Sequence, residues 1–510
     1  MLPAEAAGAP RAPRLPARAL KVDFRTLIAA VAGAAVVALA LGLILDGDDP
    51  PPDAGAEIAV AAAGLAADAR LGWDPARREE LERRAATGTS HVIYALSPGG
   101  VVASAERTAA WRPSVERAAA RHGVDADRLE AMVFLESAGR PEVIAGETPE
   151  AASGLVQITP SAATDLLGMR VDLDRSIALT RAIARARERG MVGRAAWLER
   201  RRAEVDERFD PGLALDGAAR YLEIAEERFG APDLATVSYH MGIGNLESVI
   251  RAYVAEGSQV APIGETVAAE GLTYAQLYFD SAPDRHADAY RLLAGFGDDS
   301  AEYFWRVLAS QRIMELWRAD RAELGRLVEL ATAKATLEEV YHPESETEVF
   351  DDPDDVEAAL ASGDLVALPA SDELGWRIDP QMGELASRLD REPALYRALR
   401  PQALATLSYM AARVREVSGS ERPLRVTSTV RDSAYQDLLR STNPEATDEY
   451  SLHTTGWSFD ILRRYESDAQ AAGFQFVLDR LQALAVIDYA VEPAAIHVTV
   501  SELGSELIPG

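Results

Sequence analysis

The sequence predicts a multi-domain chain in three parts: one transmembrane helix near the N-terminus, an all-α domain, and a C-terminal α+β domain. Three observations predict it. An uncharged run of 20 residues spans Thr26–Leu45, nearly every segment from Trp111 to Lys334 has helical apolar spacing, and β-branched runs at Leu424–Val430 and Ile496–Val500 mix with helices beyond an acidic break. At 510 residues and 48% hydrophobic content the chain has ample material for several buried cores. Its 52 basic and 81 acidic residues give a net charge of −29, which repels phosphate backbones and argues against nucleic acid as a partner. The absence of cysteine excludes disulfides, thiolate-bound zinc, iron–sulfur clusters and thiol catalysis.

The run Thr26–Leu45 is long enough, at ~1.5 Å per residue, to cross a ~30 Å hydrocarbon layer. Arg11, Arg14, Arg18, Lys21 and Arg25 precede it, and Asp46, Asp48, Asp49, Asp53 and Glu57 follow. The positive-inside rule therefore puts residues 1–25 in the cytoplasm and the bulk of the chain in the periplasm or outside the cell, held by one helix in the inner or cytoplasmic membrane. The competing reading is a cleaved signal peptide ending at Ala54-Gly55-Ala56, but the apolar run is long for a signal and the triplet lies far beyond it. Residues 46–105 begin with an acidic, proline-rich stalk, Asp46–Ala56. They continue as an Ala-rich helical pattern, end in a predicted strand at His91–Leu96, and carry no motif that points to chemistry.

Residues 106–340 form the predicted all-α domain. Within it, Ala126–Glu136 reads as a helix with Asp125 or Asp127 as cap and Gly139 as stop. Its last turns are apolar except for Glu136. A carboxylate there meets the negative end of the helix dipole and is desolvated by Met132, Val133 and Leu135, and both effects raise its pKa toward that of a general acid at neutral pH. The plainer alternative is a glutamate that reaches solvent from a frayed helix end.

The segments that follow favour the acid. Glu136-Ser137 is succeeded by Gly154-Leu155-Val156-Gln157-Ile158-Thr159-Pro160, by Gly217-Ala218-Ala219-Arg220-Tyr221-Leu222, and by Ser238-Tyr239-His240-Met241-Gly242-Ile243-Gly244-Asn245. In this order they resemble the soluble lytic transglycosylases, whose fold is that of goose-type lysozyme. The resemblance implies a lysozyme-like domain that needs no cofactor and cuts MurNAc–GlcNAc bonds of peptidoglycan to 1,6-anhydro products. It assigns Glu136 as the acid, Ser137 as its orienting neighbour, and Gln157 and Tyr239 as substrate-binding residues lining the cleft. The chain departs from the family pattern at His240, where asparagine is usual. It also departs in an Arg-rich stretch between Pro160 and Asp210, including Arg200, Arg201 and Arg202, that reads as an insertion covering the cleft or as a solvated face.

Residues 341–355, which take in the break His342–Asp355, are a predicted linker, and residues 356–510 the predicted α+β domain. Two of the chain's seven histidines fall there in a suggestive pattern. His453 and Asp460 flank Gly456, so that a turn followed by a strand aims both at one point, and His497 on an alternating strand supplies a third ligand. A capped histidine and a surface aspartate would give the same spacing. The pattern Ser451-x-His453-x-x-Gly456-x-x-x-Asp460 with His497 is similar to the zinc D-alanyl-D-alanine carboxypeptidases of the lysostaphin and hedgehog group. That resemblance implies Zn²⁺ on His453, Asp460 and His497, with Arg431, preceded by Ser428 and followed by Gln436, binding a substrate carboxylate. The general base matches less closely: relatives carry an acid three residues or one residue before the last histidine, where this chain has Ala494 and Ile496, and Glu492 stands two residues too early.

Both resemblances point to one polymer. The expected function is a membrane-anchored peptidoglycan hydrolase, with Glu136 acting on the glycan and the zinc domain, with Glu492 as base, acting on or holding the stem peptides. The alternative is a non-catalytic peptidoglycan-binding scaffold for a cell-envelope assembly.

Overall fold

The computed structural model describes residues 54–65, 71–254, 261–369, 372–441 and 450–508. The predicted span Thr26–Leu45, its cytoplasmic flank and the first part of the stalk lie outside the described residues. Among the described residues no helix is long and apolar enough to cross a membrane.

Among the described residues up to Tyr341 the regular elements are all helical. The chain enters with α1 (Ala54–Ala63), α2 (Arg78–Gly88) and α3 (His91–Leu96). The predicted strand at His91–Leu96 is thus a helix. Val92, Ile93 and Tyr94 have β preference, but their apolar side chains face a helical surface made by Phe134, Ile313, Met314 and Leu324, and that tertiary packing overrides the local preference.

Helix α4 (Ala126–Ser137) follows, with the Asp125 carboxylate accepting from the Arg128 amide at 2.6 Å as N-cap. Its C-terminus turns left-handed at Ala138 (φ 51°) and again at Gly139 (φ 75°). A Cβ on Gly139 would sit 2.7 Å from the backbone of Arg107 and Thr108, so the position accepts only glycine. The Arg-rich stretch forms α5 (Leu173–Glu188) and α6 (Val192–Val205), which pack on each other around Ile183, Ala186, Ala195 and Leu198. Arg200 and Arg201 are exposed, while Arg202 is buried with its guanidinium over the Phe209 ring.

Helices α7 (Pro211–Phe229), α8 (Pro232–Met241), α9 (Tyr303–Ala319) and α10 (Arg321–Ala333) belong to the same helical body, and the short α11 (Glu338–Tyr341) leads out of it.

Beyond α11 the chain becomes sheet-containing. A two-stranded antiparallel pair joins β1 (Val366–Ala367) to β3 (Ala398–Leu399). A five-stranded sheet is built from β2 (Trp376–Ile378), β4 (Leu424–Ser428), β5 (Ser458–Leu462), β6 (Ile487–Val491) and β7 (Ala495–Val500), in the order β2-β4-β5-β7-β6. Only the β2–β4 pairing in it is parallel. Helices α12 (Pro401–Ser418) and α13 (Asp468–Ala483) pack on each other beside this sheet.

The helical and sheet-containing parts share one apolar core. Helix α1 lies along α12, and α2 is wedged between α9 and α13. At the wedge a Cβ on Gly88 would lie 1.8 Å from the Gln482 carbonyl oxygen, so only glycine lets the two backbones approach this closely. Charged anchors reinforce the contact. Arg413 forks onto both oxygens of Asp284 at 2.7 Å, and Arg480 donates to the carbonyls of Tyr278, Phe279 and Ser281 at 2.6–2.8 Å.

Two candidate sites, a lone carboxylate and a metal-ligand cluster

Of the three carboxylates on helix α4, Glu130 and Glu136 stand in different surroundings. Glu130 is paired with Arg112 at 3.1 Å and Arg318 at 2.5 Å. Glu136, in the last turn, meets no such partner: its carboxylate accepts a hydrogen bond from the Tyr303 hydroxyl at 2.7 Å. Burial drives the Glu136 pKa up to about 7, and the Tyr303 bond, which favours the ionised form, only moderates the rise. The carboxyl therefore exchanges its proton near neutral pH.

Glu136 borders a cavity of about 290 Å³ whose walls include Ile93, Leu96, Pro98, Arg140 and Arg306. Helix α3 and the turn after it, which the sequence left without a role, thus supply one wall. Behind Glu136 lies an aromatic stack. Tyr303 runs parallel to Tyr239 with 6.5 Å between centroids and is stacked on His240 at 5.1 Å, while Tyr221 meets Tyr239 edge-on at 5.0 Å. The exposed His240 is held by the Ser300 hydroxyl at 3.0 Å.

The Tyr239 hydroxyl donates to the Val156 carbonyl at 2.7 Å, tying the stack to the loop that bears Gln157. Gln157 adopts a left-handed conformation (φ 48°) and donates its amide to the carbonyls of Val143 and Gly154, closing that loop on itself. Ser137 is buried and donates to the Leu155 carbonyl at 2.7 Å, so it fastens the same loop to the end of α4, and the hydroxyl that reaches Glu136 belongs to Tyr303. A fully buried pair, Arg208 and Asp206 at 2.8 Å, braces the loop from below, with Arg208 also donating to the Pro149 and Ile158 carbonyls. Tyr303, Arg208 and Asp206 stand outside every motif quoted above.

The second site sits on the five-stranded sheet. His453 precedes the left-handed turn at Gly456 (φ 76°), Asp460 lies mid-β5, and β5 and β7 pair so that Asp460 stands opposite His497. The ligand atoms of the three lie within 4.8 Å of one another, a spacing able to hold a metal ion. His453 Nε2 is 3.2 Å from one Asp460 oxygen and His497 Nδ1 is 2.9 Å from the other. The other nitrogen of His453, Nδ1, lies 2.8 Å from the Thr429 carbonyl, which fixes the ring with Nε2 toward the cluster.

Two imidazoles and a carboxylate, with the rings already oriented, fit the donor set of a zinc site with an open position. Arg431 lies 3.6 Å from Asp460 and is steadied by Gln436 at 3.0 Å and Ser428 at 2.5 Å. Burial alone would raise the Asp460 pKa, but His453 and His497 outweigh it and hold the carboxyl well below the usual range. Burial likewise works against charge on His497, yet its contacts with Asp460 and Glu338 prevail and push it up to about 10, whereas burial beside Arg431 lowers His453 to about 4.

Glu492 follows β6 in the hairpin to β7. Its amide donates to the Ala495 carbonyl at 3.0 Å, its carbonyl accepts from Arg463 at 2.7 Å, and its charge supports that of Arg431.

Among known proteins, no family model and no curated protein matches the chain.

Proposed function

We propose that the chain is a peptidoglycan hydrolase whose glycan-cutting group is Glu136. The observation that carries the reading is this carboxyl with a pKa of about 7, placed at a cavity wall and touched by a neutral phenol. Such a group is protonated often enough to act as an acid and ionised easily enough to act next as a base.

In the proposed reaction Glu136 gives its proton to the glycosidic oxygen as the bond to MurNAc C1 breaks. The sugar's own N-acetyl group supports the developing cation, so no second carboxylate is needed. The ionised Glu136 then takes the proton from the C6 hydroxyl, whose oxygen closes on C1. The product is a 1,6-anhydro sugar and the enzyme regains its proton. Tyr303 keeps the carboxylate in place through both steps, and the loop held by Ser137, Gln157 and Tyr239 shapes the neighbouring surface.

The sheet-borne cluster is proposed to hold Zn²⁺ on His453, Asp460 and His497 and to act on or hold stem peptides. Zinc there would polarise a water and a peptide carbonyl. Arg431 would bind the peptide carboxylate and Glu492 would take a proton from the attacking water. Glu492→Gln is expected to keep metal and stop peptide release. Through Thr26–Leu45 the chain would sit in the cytoplasmic membrane with both sites outside.

Incubating the full-length protein with purified sacculi and analysing the soluble products by mass spectrometry tests the reading. Release of anhydro-muropeptides is expected. Protein that only sediments with the sacculi would instead favour the scaffold.

A further inference from the structure

Both histidines of the metal-ligand cluster present one ring nitrogen to Asp460 and have the other held from behind. For His453 the holder is the Thr429 carbonyl, part of the same sheet region. For His497 it comes from elsewhere in the chain. The Nε2 atom of His497 faces the carboxylate of Glu338 at 3.4 Å, and the Thr499 hydroxyl lies beside both, 3.4 Å from Nε2 and 3.5 Å from the same Glu338 oxygen.

Glu338 opens α11, the short helix leading out of the helical part, and it is buried. Its second oxygen is taken by the Lys334 ammonium at 2.6 Å, and the Thr336 hydroxyl lies 3.2 Å from the first. The backbone around it is pinned on both sides: the Leu337 amide donates to Asp488 of β6 at 2.5 Å, and His342 Nε2 lies 2.6 Å from the Val500 carbonyl at the end of β7. A buried carboxylate clamped in this manner is set in position before any ligand arrives.

We propose that Glu338 is the positioning residue of the metal centre, fixing His497 with its proton on Nε2 so that Nδ1 turns toward the ion. This rests on the reading of the cluster as a metal site. An imidazole that binds metal through one nitrogen usually gives the other N–H to a carboxylate or carbonyl, which sets the tautomer and strengthens the ligand, and losing that partner typically costs ~10–100-fold in metal affinity. Here the partner is contributed by the helical part, so the site is complete only when α11 is seated against the sheet.

The test is zinc affinity of the full-length protein at one fixed pH, by competition with a chromophoric chelator, together with the visible spectrum of the Co²⁺-loaded form. Glu338→Ala should weaken zinc binding ~10–100-fold. Glu338→Gln, whose amide oxygen still accepts the Nε2 proton, should recover part of the loss. The Co²⁺ spectrum at saturation should stay that of wild type, because the ligands themselves are intact. Glu339→Gln, which removes the charge of a neighbouring carboxylate that also contacts Lys334 (3.5 Å), should bind zinc as wild type does.

Wild-type affinity in both folded Glu338 variants would overturn the positioning role. A Co²⁺ spectrum showing a changed coordination number would overturn it too, making Glu338 a direct ligand. A wild-type protein that takes up neither metal would remove the metal centre itself, an outcome distinct from either.

Discussion

Glu136 and Asp460 are both largely enclosed carboxylates in candidate sites, yet their proton affinities are displaced in opposite directions. Burial pushes both upward. Around Glu136 the partner is a neutral phenol, so burial wins and the group titrates at about 7. Around Asp460 the contacts with His453 and His497 outweigh burial, with the Arg431 guanidinium 3.6 Å away, and the carboxyl is held well below its ordinary range. Enclosure alone therefore does not define an acid; the charge of what encloses it does. The first arrangement suits proton transfer and the second suits a cation.

The largest expected effect separates the two sites by chemistry. Glu136→Gln should lower anhydro-sugar release ~10²–10⁴-fold, the usual worth of a general acid, while the metal content of the protein stays the same. Product analysis and metal analysis on one preparation check both halves.

Next comes Asp460→Ala, which leaves Arg431, His453 and His497 facing one another without their shared carboxylate. Breaking such a buried set by removing one member typically costs ~3–5 kcal/mol, so denaturant unfolding should show a marked loss of stability along with loss of metal. Glycan cleavage should persist in the fraction that stays folded. An Asp460→Ala protein as stable as wild type would break the contrast on the metal side.

How far the sequence revealed these sites depended on distance along the chain. Helix α4 and the turn at Gly456 were legible because apolar spacing and glycine turns are local signals, and of the two candidate caps, Asp125 and Asp127, the structure uses Asp125. The strands around Leu424 and Ile496 were legible for the same reason. His91–Leu96 has the local pattern of a strand yet is a helix, because its β-branched residues are packed by Phe134 and Ile313, which no local pattern announces. Tyr303 reaches Glu136 across 167 positions of sequence, and Glu338 meets His497 only because α11 docks on the sheet. Partners brought in by tertiary packing decide the electrostatics of both sites, and these were the part that motifs did not carry.

A smaller effect sharpens the Glu136 side. The Tyr303 hydrogen bond favours the ionised carboxylate, so Tyr303→Phe should move the alkaline limb of the pH–rate profile for glycan cleavage from near 7 to higher pH. A limb that stays in place would detach Tyr303 from the acid.

A further effect on the Glu136 side is on stability. Glu136 has a folded-state pKa of about 7 against an ordinary 4.5, so the folded protein binds this proton more tightly than the unfolded chain does. Stability from this group is therefore full below pH 4.5, falls as pH rises to 7, and is level beyond. Glu136→Gln, which cannot ionise, should gain stability relative to wild type across that interval, as read by unfolding midpoints at several pH values.

The most direct measurement of the central claim is the titration of Glu136 itself by carbon-13 NMR of protein labelled at the glutamate side-chain carboxyl, with Glu136→Gln to identify its resonance. A signal with a midpoint near pH 7 that is missing from the variant is expected. A missing signal that instead titrates in the ordinary glutamate range, near 4.5, would contradict it and leave Glu136 an ordinary carboxylate at a helix end.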